Sequence, residues 1–186
     1  MGSIGQGVQL PASGLGLIYQ SERNFAEAET VFRRAQATVH QNPQVDAIAA
    51  ALLLNNFGML LRQMSRNAES EAAFRQGLAL AEAAGSRDFG VEVALHYNLA
   101  SLDVARKNFR EAARRFGVAV ALLDSGTSLP PRASGDLLRD YAACLRKLGD
   151  RKEAKTVEDR AAALLNSQAD GNGRAIVDVT ELRRSK

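Results

Sequence analysis

Apolar side chains recur along this chain at the three- and four-residue spacing of an amphipathic helix. Between Asp46 and Met64 they are Ile48, Leu52, Phe57, Leu60, Leu61 and Met64. The same spacing predicts seven further helices, at about 13–21, 24–40, 67–84, 88–107, 108–124, 132–148 and 150–165. Gly85, the loop 125–131 and Gly149 separate several of them, as turn-forming residues do. The pattern therefore predicts an all-α fold of paired helices.

A strict 42-residue repeat lies on top of this helical spacing. Three columns of the repeat hold only Ala, Gly or Ser, and a fourth holds Phe three times and then Glu. These columns are Gly16, Gly58, Ala100 and Ala142; Ala28, Ser70, Ala112 and Ala154; Ala35, Gly77, Ala119 and Ala161; and Phe32, Phe74, Phe116 and Glu158. A fixed period of this size is typical of stacked copies of one helical hairpin. Small residues predict close helix approach, and the Phe column is expected to fill the space between repeats.

The motifs within this period resemble the tetratricopeptide repeat (TPR). Residues 24–29 and 32–35 are similar to its second helix, and residues 54–61 are similar to its first. The basic TPR motif spans 34 residues, and the longer period here resembles the repeats of kinesin light chain and its bacterial relatives. The resemblance covers about Ser13 to Leu165. It implies a right-handed α-solenoid of four TPR helix-turn-helix repeats that binds other proteins.

Three parts of the chain follow from this reading. Residues 1–12 are expected to form an irregular N-terminal segment, and 166–186 a polar linker with an extended C-terminal tail. Residues 13–165 hold the four repeats, at about 9–50, 51–92, 93–134 and 135–165.

Individual positions carry further expectations. Asn67 is expected to cap the second helix of repeat two, and Ser86 or Asp88 the first helix of repeat three. Glu158 in the Phe column suits a last repeat with no successor to bury a ring. Asp103 stands where the other repeats have Tyr or Leu, and the pattern gives no reason for it.

Composition and charge limit the classes of partner that we expect this chain to bind. The formal net charge is +3, and basic residues are interleaved with acidic ones rather than gathered in a block, so we expect no nucleic-acid partner. No apolar run approaches the 18 or so residues of a membrane helix, so we expect no membrane partner. The single cysteine, Cys144, rules out a disulfide within the chain and is consistent with a reducing, cytoplasmic location.

Candidate catalytic chemistry is scarce. His40 and His96 lie in different repeats without an acidic or Cys partner at ligand spacing, and His96 is expected at the surface or in the groove. Cys144 is expected to pack as a small apolar residue. Gly14 and Gly16 lack the third glycine of a dinucleotide loop. We therefore expect no enzyme, no catalytic residues, no metal and no cofactor.

The resemblance places the binding site on the concave surface that the first helices of TPR repeats line. This implies a peptide-binding groove built from Asn55, Asn56, Met59, Arg62, Tyr97, Asn98, Ser101, Arg139, Asp140 and Arg146. Asparagine donates and accepts hydrogen bonds, which suits the backbone of an extended peptide. The alternative is that the Asn56, Asn98 and Asp140 column caps or bridges neighbouring helices.

The predicted partner is a peptide or helix of another protein, and a short extended segment with an aromatic and some acidic residues fits best. Asp136 and Asp140 stand where a carboxylate clamp needs Lys and Arg, so acidic chaperone C-termini are not expected to bind. A second hypothesis makes the chain the end of a longer solenoid, or a homo-oligomer formed through the first repeat. This hypothesis is based on Leu15, Leu17 and Ile18, which lie in an uncharged N-terminal stretch and are expected to be exposed.

Overall fold

A computed structural model describes residues 12–41, 46–85, 89–127 and 129–173. Within these ranges the chain forms eight α-helices and no strand, which confirms the all-α class. The helices are α1 (Ala12–Ser21), α2 (Phe25–Gln41), α3 (Ala47–Gln63), α4 (Asn67–Ala84), α5 (Gly90–Ala105), α6 (Phe109–Asp124), α7 (Pro131–Leu148) and α8 (Arg151–Gly173). The expected caps at Ser86 and Asp88, and the tail beyond Gly173, lie outside the described residues, as does the N-terminal segment up to residue 11.

Consecutive helices pair into hairpins, and the hairpins form two compact units divided after residue 128. The first unit holds α1–α2, α3–α4 and α5–α6, in which each hairpin packs on the next. The second unit holds the hairpin α7–α8.

The turn inside every hairpin has the same backbone geometry. Arg23, Ser65, Lys107 and Gly149 lie 42 residues apart, and all four have positive φ, at 60°, 63°, 63° and 93°. The next residue in each case donates its backbone N–H to the carbonyl five residues earlier, over 2.8–2.9 Å. A left-handed residue followed by this hydrogen bond is a common way to end a helix. The sequence indicated a left-handed residue only at Gly149, because Arg, Ser and Lys disfavour positive φ.

Close contact inside the first two hairpins explains the glycine column. A Cβ atom added to Gly58 would lie 2.5 Å from the ring of Phe74, and one added to Gly16 would lie 2.8 Å from the ring of Phe32. Beside this contact, the hydroxyl of Ser70 donates to the carbonyl of Gly58 over 2.7 Å. A phenylalanine of the second helix thus occupies the space that a side chain on the first helix would fill.

The core of the first unit runs through all three hairpins. Phe32 meets Phe57 of the next hairpin, with ring centroids 5.9 Å apart. A Cβ on Gly77 would lie 3.2 Å from Leu95 of the hairpin after it. Phe32 and Phe74 are fully buried. The large and small columns therefore interdigitate between successive repeats, as the repeat pattern predicts.

Two similar ion-pair clusters join successive hairpins on the side of the second helices. Glu29 contacts Arg33 on its own helix and Arg66 of the next hairpin, each over 2.7 Å. Glu71 contacts Arg75 over 2.5 Å and Arg106 of the next hairpin over 2.6 Å. On α6, the positions of these Glu and Arg residues are taken by Ala113 and Gly117.

In the second unit, α7 packs on α8 through Ala142, Leu145 and Ala154. Glu158 stands in the Phe column, and Arg146 of the same hairpin donates to it from Nε over 2.6 Å. The carboxylate is half-exposed, so a charged pair replaces the buried ring in this hairpin.

Two local expectations are wrong. Asn67 does not cap α4: the N-cap is Arg66, without a side-chain cap bond, and Asn67 is the first helical residue. Arg66 instead binds Glu29 and Glu69, which anchor the start of the helix. The expected linker from Asn166 continues α8 as far as Gly173. No proline interrupts this stretch, and Gly173 is also the last described residue.

Candidate interaction surface

Helices α1, α3 and α5 are neighbours in the first unit, and α3 packs directly on α5. Met59 and Arg62 on α3 hold the repeat positions that Ser101 and Val104 hold on α5, and all four are partly exposed. We call this surface the wall and define it by its partly or fully exposed side chains, which are Leu52, Met59 and Arg62 on α3 and Tyr97, Ser101 and Val104 on α5. Four of them, Met59, Arg62, Tyr97 and Ser101, belong to the groove predicted from sequence.

The three predicted asparagines lie beneath this surface. Asn55, Asn56 and Asn98 are only 5%, 8% and 4% exposed. Nδ2 of Asn98 donates to Oδ1 of Asn55 over 2.8 Å, and this hydrogen bond joins α5 to α3. Nδ2 of Asn55 lies 3.5 Å from Oδ1 of Asn56, at the outer limit of a hydrogen bond. Of the column Asn56, Asn98 and Asp140, Asn98 thus bridges neighbouring helices, with Asn55 as its partner.

The exposed side chains of the wall are mainly apolar. Leu52 is 45% exposed on α3. Tyr97 is partly buried, because its ring leans on Phe116 with centroids 5.7 Å apart. The hydroxyl of Ser101 donates to the carbonyl of Tyr97 over 2.9 Å. Arg62 is the wall's one cation, and no carboxylate in the described ranges pairs with it.

The three predicted residues of the second unit are all exposed on α7. Arg139 pairs with Asp136 one turn earlier. Arg146 pairs with Glu158, and its guanidinium holds the pKa of that carboxyl below the usual value. Both arginines therefore already have acidic partners on their own hairpin. Asp140 lies near Cys144 and contributes to the raised pKa of that thiol, after the larger effect of burial.

A polar cluster inside the hairpin α5–α6 was not predicted from sequence. Nε of Arg115 donates to Oδ2 of Asp103 over 3.0 Å, and both side chains are largely buried. Arg115 also contacts Glu111 over 3.1 Å. The equivalent positions in repeat two are Leu61 and Ala73. The sequence could have indicated this ion pair, because the positions of Leu61 and Ala73 both carry charged residues, Asp103 and Arg115, in repeat three.

His96, which we expected at the surface or in the groove, is partly buried near the positive charges of Arg114 and Arg115. Its Nδ1 atom is buried without a hydrogen-bond partner among the described residues. Burial lowers its pKa to about 4, and the positive charges of Arg115 and Arg114 act in the same direction. The imidazole is therefore neutral at pH 7. Leu54 and Leu138 hold the equivalent positions of repeats two and four.

The described part of the chain offers no group of side chains suited to a metal ion, and its one thiol is buried. No group of three or more His, Cys, Asp or Glu side chains there is placed to hold a metal ion. Cys144 is 3% exposed, and burial raises the pKa of its thiol, which keeps it protonated. Among the described helices, none combines the length and apolar character that crossing a membrane requires.

Comparisons with known proteins agree with this architecture. Residues 9–83 match the tetratricopeptide repeat family model. The structure is similar to the crystal structure of BtubC (BKLC) from P. vanneervenii, with a TM-score of 0.76 and 17% sequence identity over 85% of this chain and 63% of that chain. This chain therefore spans less than two thirds of BtubC. No curated protein matches the sequence.

Two further structures show the same fold. Both come from a Podosopora anserina putative kinesin light chain with nearly identical TPR-like repeats, and one of them is a variant of the other. Each has a TM-score of 0.68 and 14% identity, over 84% of this chain and 74% of that chain. At these identities the likeness concerns the fold. With the helical hairpins and the 42-residue period, it shows that this chain has the fold of these TPR-like repeat structures, and residues 9–83 match the tetratricopeptide repeat family itself.

Proposed function

We propose that the wall binds a segment of a partner protein and that the chain acts as a scaffold or adaptor. The observation that carries this proposal is the exposure of Leu52, at 45%, on the same helix as the partly exposed Met59 and on the same wall as Tyr97. An exposed large apolar side chain gains free energy when a ligand removes it from water. TPR proteins are in general scaffolds for protein–protein interaction, which supports this assignment.

The chemistry of the wall favours a segment with an apolar or aromatic anchor and an acidic neighbour. Leu52 and Tyr97 offer the apolar surface, and Arg62 offers a cation without a competing carboxylate in the described ranges. We assign Asn55 and Asn98 a supporting role, because their mutual hydrogen bond holds α3 and α5 at a fixed separation. The exposed α7 residues Arg139, Asp140 and Arg146 stay a separate prediction for the second unit.

The test is a fluorescence-polarisation titration with a labelled extended peptide that contains one tryptophan and three glutamates. We expect micromolar affinity for the intact chain. Leu52→Ser and Arg62→Glu are each expected to weaken binding about tenfold, since each removes a contact worth about 1.4 kcal/mol. Asn98→Ala is expected to weaken binding through altered helix spacing and also to lower the unfolding temperature.

Arg110→Glu is the matched control, because Arg110 is an exposed arginine on α6, away from the wall. Equal binding by the intact chain, Leu52→Ser and Arg62→Glu would show that the peptide does not use the wall. If the intact chain does not bind the peptide at all, the proposed preference for an aromatic and acidic segment is wrong.

A second candidate function is self-association through the first repeat. Ile18 is 54% exposed and Leu17 is 39% exposed, and both lie on α1. Burial of such side chains against another molecule is favourable. Light scattering across a hundredfold range of protein concentration tests this: a mass that rises with concentration supports self-association, and a constant monomer mass contradicts it.

A further inference from the structure

The hairpin α5–α6 departs from the first two hairpins at the glycine column, where it has Ala100. A Cβ atom on the equivalent Gly58 would lie 2.5 Å from the ring of Phe74, and ordinary van der Waals contact begins at 3.4 Å. If Phe116 were placed as Phe74 is, its ring would therefore collide with the Cβ of Ala100. The ring of Phe116 and its own first helix must lie about 1 Å farther apart.

The ring of Phe116 instead lies against Tyr97 on α5, with centroids 5.7 Å apart and planes inclined by 57°. Tilted ring pairs at this separation are attractive, because the positive edge of one ring meets the negative face of the other. The other repeats have Ser13, Asn55 and Arg139 at the position of Tyr97, so none of them can form this pair. The ring pair is therefore particular to the hairpin α5–α6, as is Ala100 to the hairpins of the first unit.

Hydrogen bonds also hold the backbone around Tyr97. Its carbonyl accepts from the hydroxyl of Ser101 over 2.9 Å. The next side chain, Asn98, donates to Asn55 of α3 over 2.8 Å, which fixes this part of α5 against α3. With Phe116 behind it, the ring of Tyr97 is ordered in the unbound chain. A side chain that is ordered in advance loses little conformational entropy when a ligand contacts it.

We propose that Tyr97 is the residue of the wall that selects an aromatic anchor in the partner segment, and that Phe116 and Ala100 position it for this role. An aromatic ring gains attraction to Tyr97 beyond the area that it buries, and a saturated ring does not. Leu52 contributes apolar area without this preference. The inference rests on the proposed binding function of the wall and specifies which residue recognises the anchor.

The test compares two acidic peptides that differ only in their anchor, which is phenylalanine in one and cyclohexylalanine in the other. The two side chains have similar size, but only phenylalanine is aromatic. The intact chain is expected to bind the phenylalanine peptide about fivefold more tightly. Ala100→Gly allows Phe116 to approach α5 as Phe74 approaches α3, so this preference should fall below about twofold. Tyr97→Leu should abolish it, and the cyclohexylalanine peptide should bind both variants within about twofold of the intact chain.

NMR of the unbound protein with labelled tyrosine tests the support of Tyr97 directly. The chain has three tyrosines, so the ring signals of Tyr97 can be assigned by their loss in Tyr97→Phe. Because an aromatic ring shifts the signals of nearby nuclei, Phe116→Leu and Ala100→Gly are both expected to move these signals. Ala142→Gly is the matched control, since it makes the same exchange at the equivalent position of α7 and should leave the signals and the anchor preference unchanged.

The outcomes separate this inference from the proposed function. If Ala100→Gly keeps the ring signals and the anchor preference of the intact chain, the positioning role is overturned. If the intact chain binds both peptides equally well, Tyr97 does not select the anchor, although weaker binding by Leu52→Ser would still support the proposed function. If neither peptide binds at all, the proposed function and this inference are both overturned.

Discussion

At the scale of single residues, the turn inside each hairpin tolerates a left-handed conformation at three residues that disfavour it. Arg23, Ser65 and Lys107 have φ near 60°, and only the fourth repeat has glycine, Gly149, at this position. A residue with a Cβ atom loses about 1 kcal/mol in this conformation relative to glycine. The hydrogen bond that closes each turn, 2.8 Å long after Lys107, offsets part of this cost.

Introducing glycine at this position is therefore predicted to stabilise the fold, and removing glycine from it is predicted to destabilise the fold. Lys107→Gly should raise the free energy of unfolding by about 0.5–1 kcal/mol, and Gly149→Ala should lower it by about 1 kcal/mol. Urea denaturation followed by circular dichroism measures both. Lys107→Ala is the control, because it removes the charge and keeps the strained conformation. A Gly variant no more stable than the Ala variant would contradict the backbone explanation.

At the scale of elements, the hairpin α5–α6 differs from the others in its interior. The pair Asp103 and Arg115 lies where repeat two has Leu61 and Ala73. Largely buried ion pairs gain little net stability over an apolar pair of similar size, but the loss of one partner leaves an uncompensated charge. The hairpin is thus held by an interaction that is sensitive to either residue alone.

Substitution toward repeat two tests this view. Asp103→Leu alone is predicted to lower the free energy of unfolding by about 1–3 kcal/mol, because Arg115 keeps only its contact with Glu111. The double change Asp103→Leu with Arg115→Ala should restore stability to within about 1 kcal/mol of the intact chain. A double-mutant cycle by chemical denaturation measures the coupling. Additive losses from the two single changes would contradict a direct pair.

Sequence was informative wherever the 42-residue pattern repeats and less so where one copy departs from it. The helices, their pairing and the close approach at Gly58 follow from columns of apolar and small residues. The Asn98–Asn55 hydrogen bond does not, because Asn98 belongs to the column whereas Asn55, 43 residues away, lies one position before it. The helical stretch after Asn166 was missed because its polar composition resembles a linker, although no residue before Gly171 breaks a helix.

At the scale of the whole molecule, one carboxylate that contacts two hairpins, Glu29, links the stability of the first unit to pH. Glu29 is 18% exposed in its side chain and contacts Arg66 of the next hairpin over 2.7 Å. The hydrogen bond from Arg66, aided by Arg33, holds the pKa of Glu29 below its usual value. The carboxylate therefore stabilises the folded state above the pKa of the unfolded chain, and this contribution is lost as the pH falls.

Glu29→Gln is predicted to reduce the acid sensitivity of the protein. The variant should be about 1 kcal/mol less stable than the intact chain at pH 7. This difference should shrink as the pH falls below about 4.5, because the intact chain then loses the charge that Glu29 contributes. His96 also weakens the fold in acid, but it is present in both proteins and cancels in the comparison.

Thermal melts at pH 7, 5 and 3.5 measure this difference. Glu82→Gln is the control, because Glu82 is exposed and forms no ion pair among the described residues. A gap between the intact chain and Glu29→Gln that stays constant with pH would show that the inter-hairpin contact does not titrate.

The two ion-pair clusters also identify a building block for longer proteins. Residues 51–92 carry Arg66, which binds the preceding hairpin, and Glu71, which binds the following one. The same segment has Phe57 to receive a preceding ring and Phe74 to fill the next interface. Two tandem copies of this segment would contact each other through the same kinds of ion pair and ring contact that join repeat one to repeat two. It is the copy from which a designer would extend the array, whereas α6, with Ala113 and Gly117, would need new charges first.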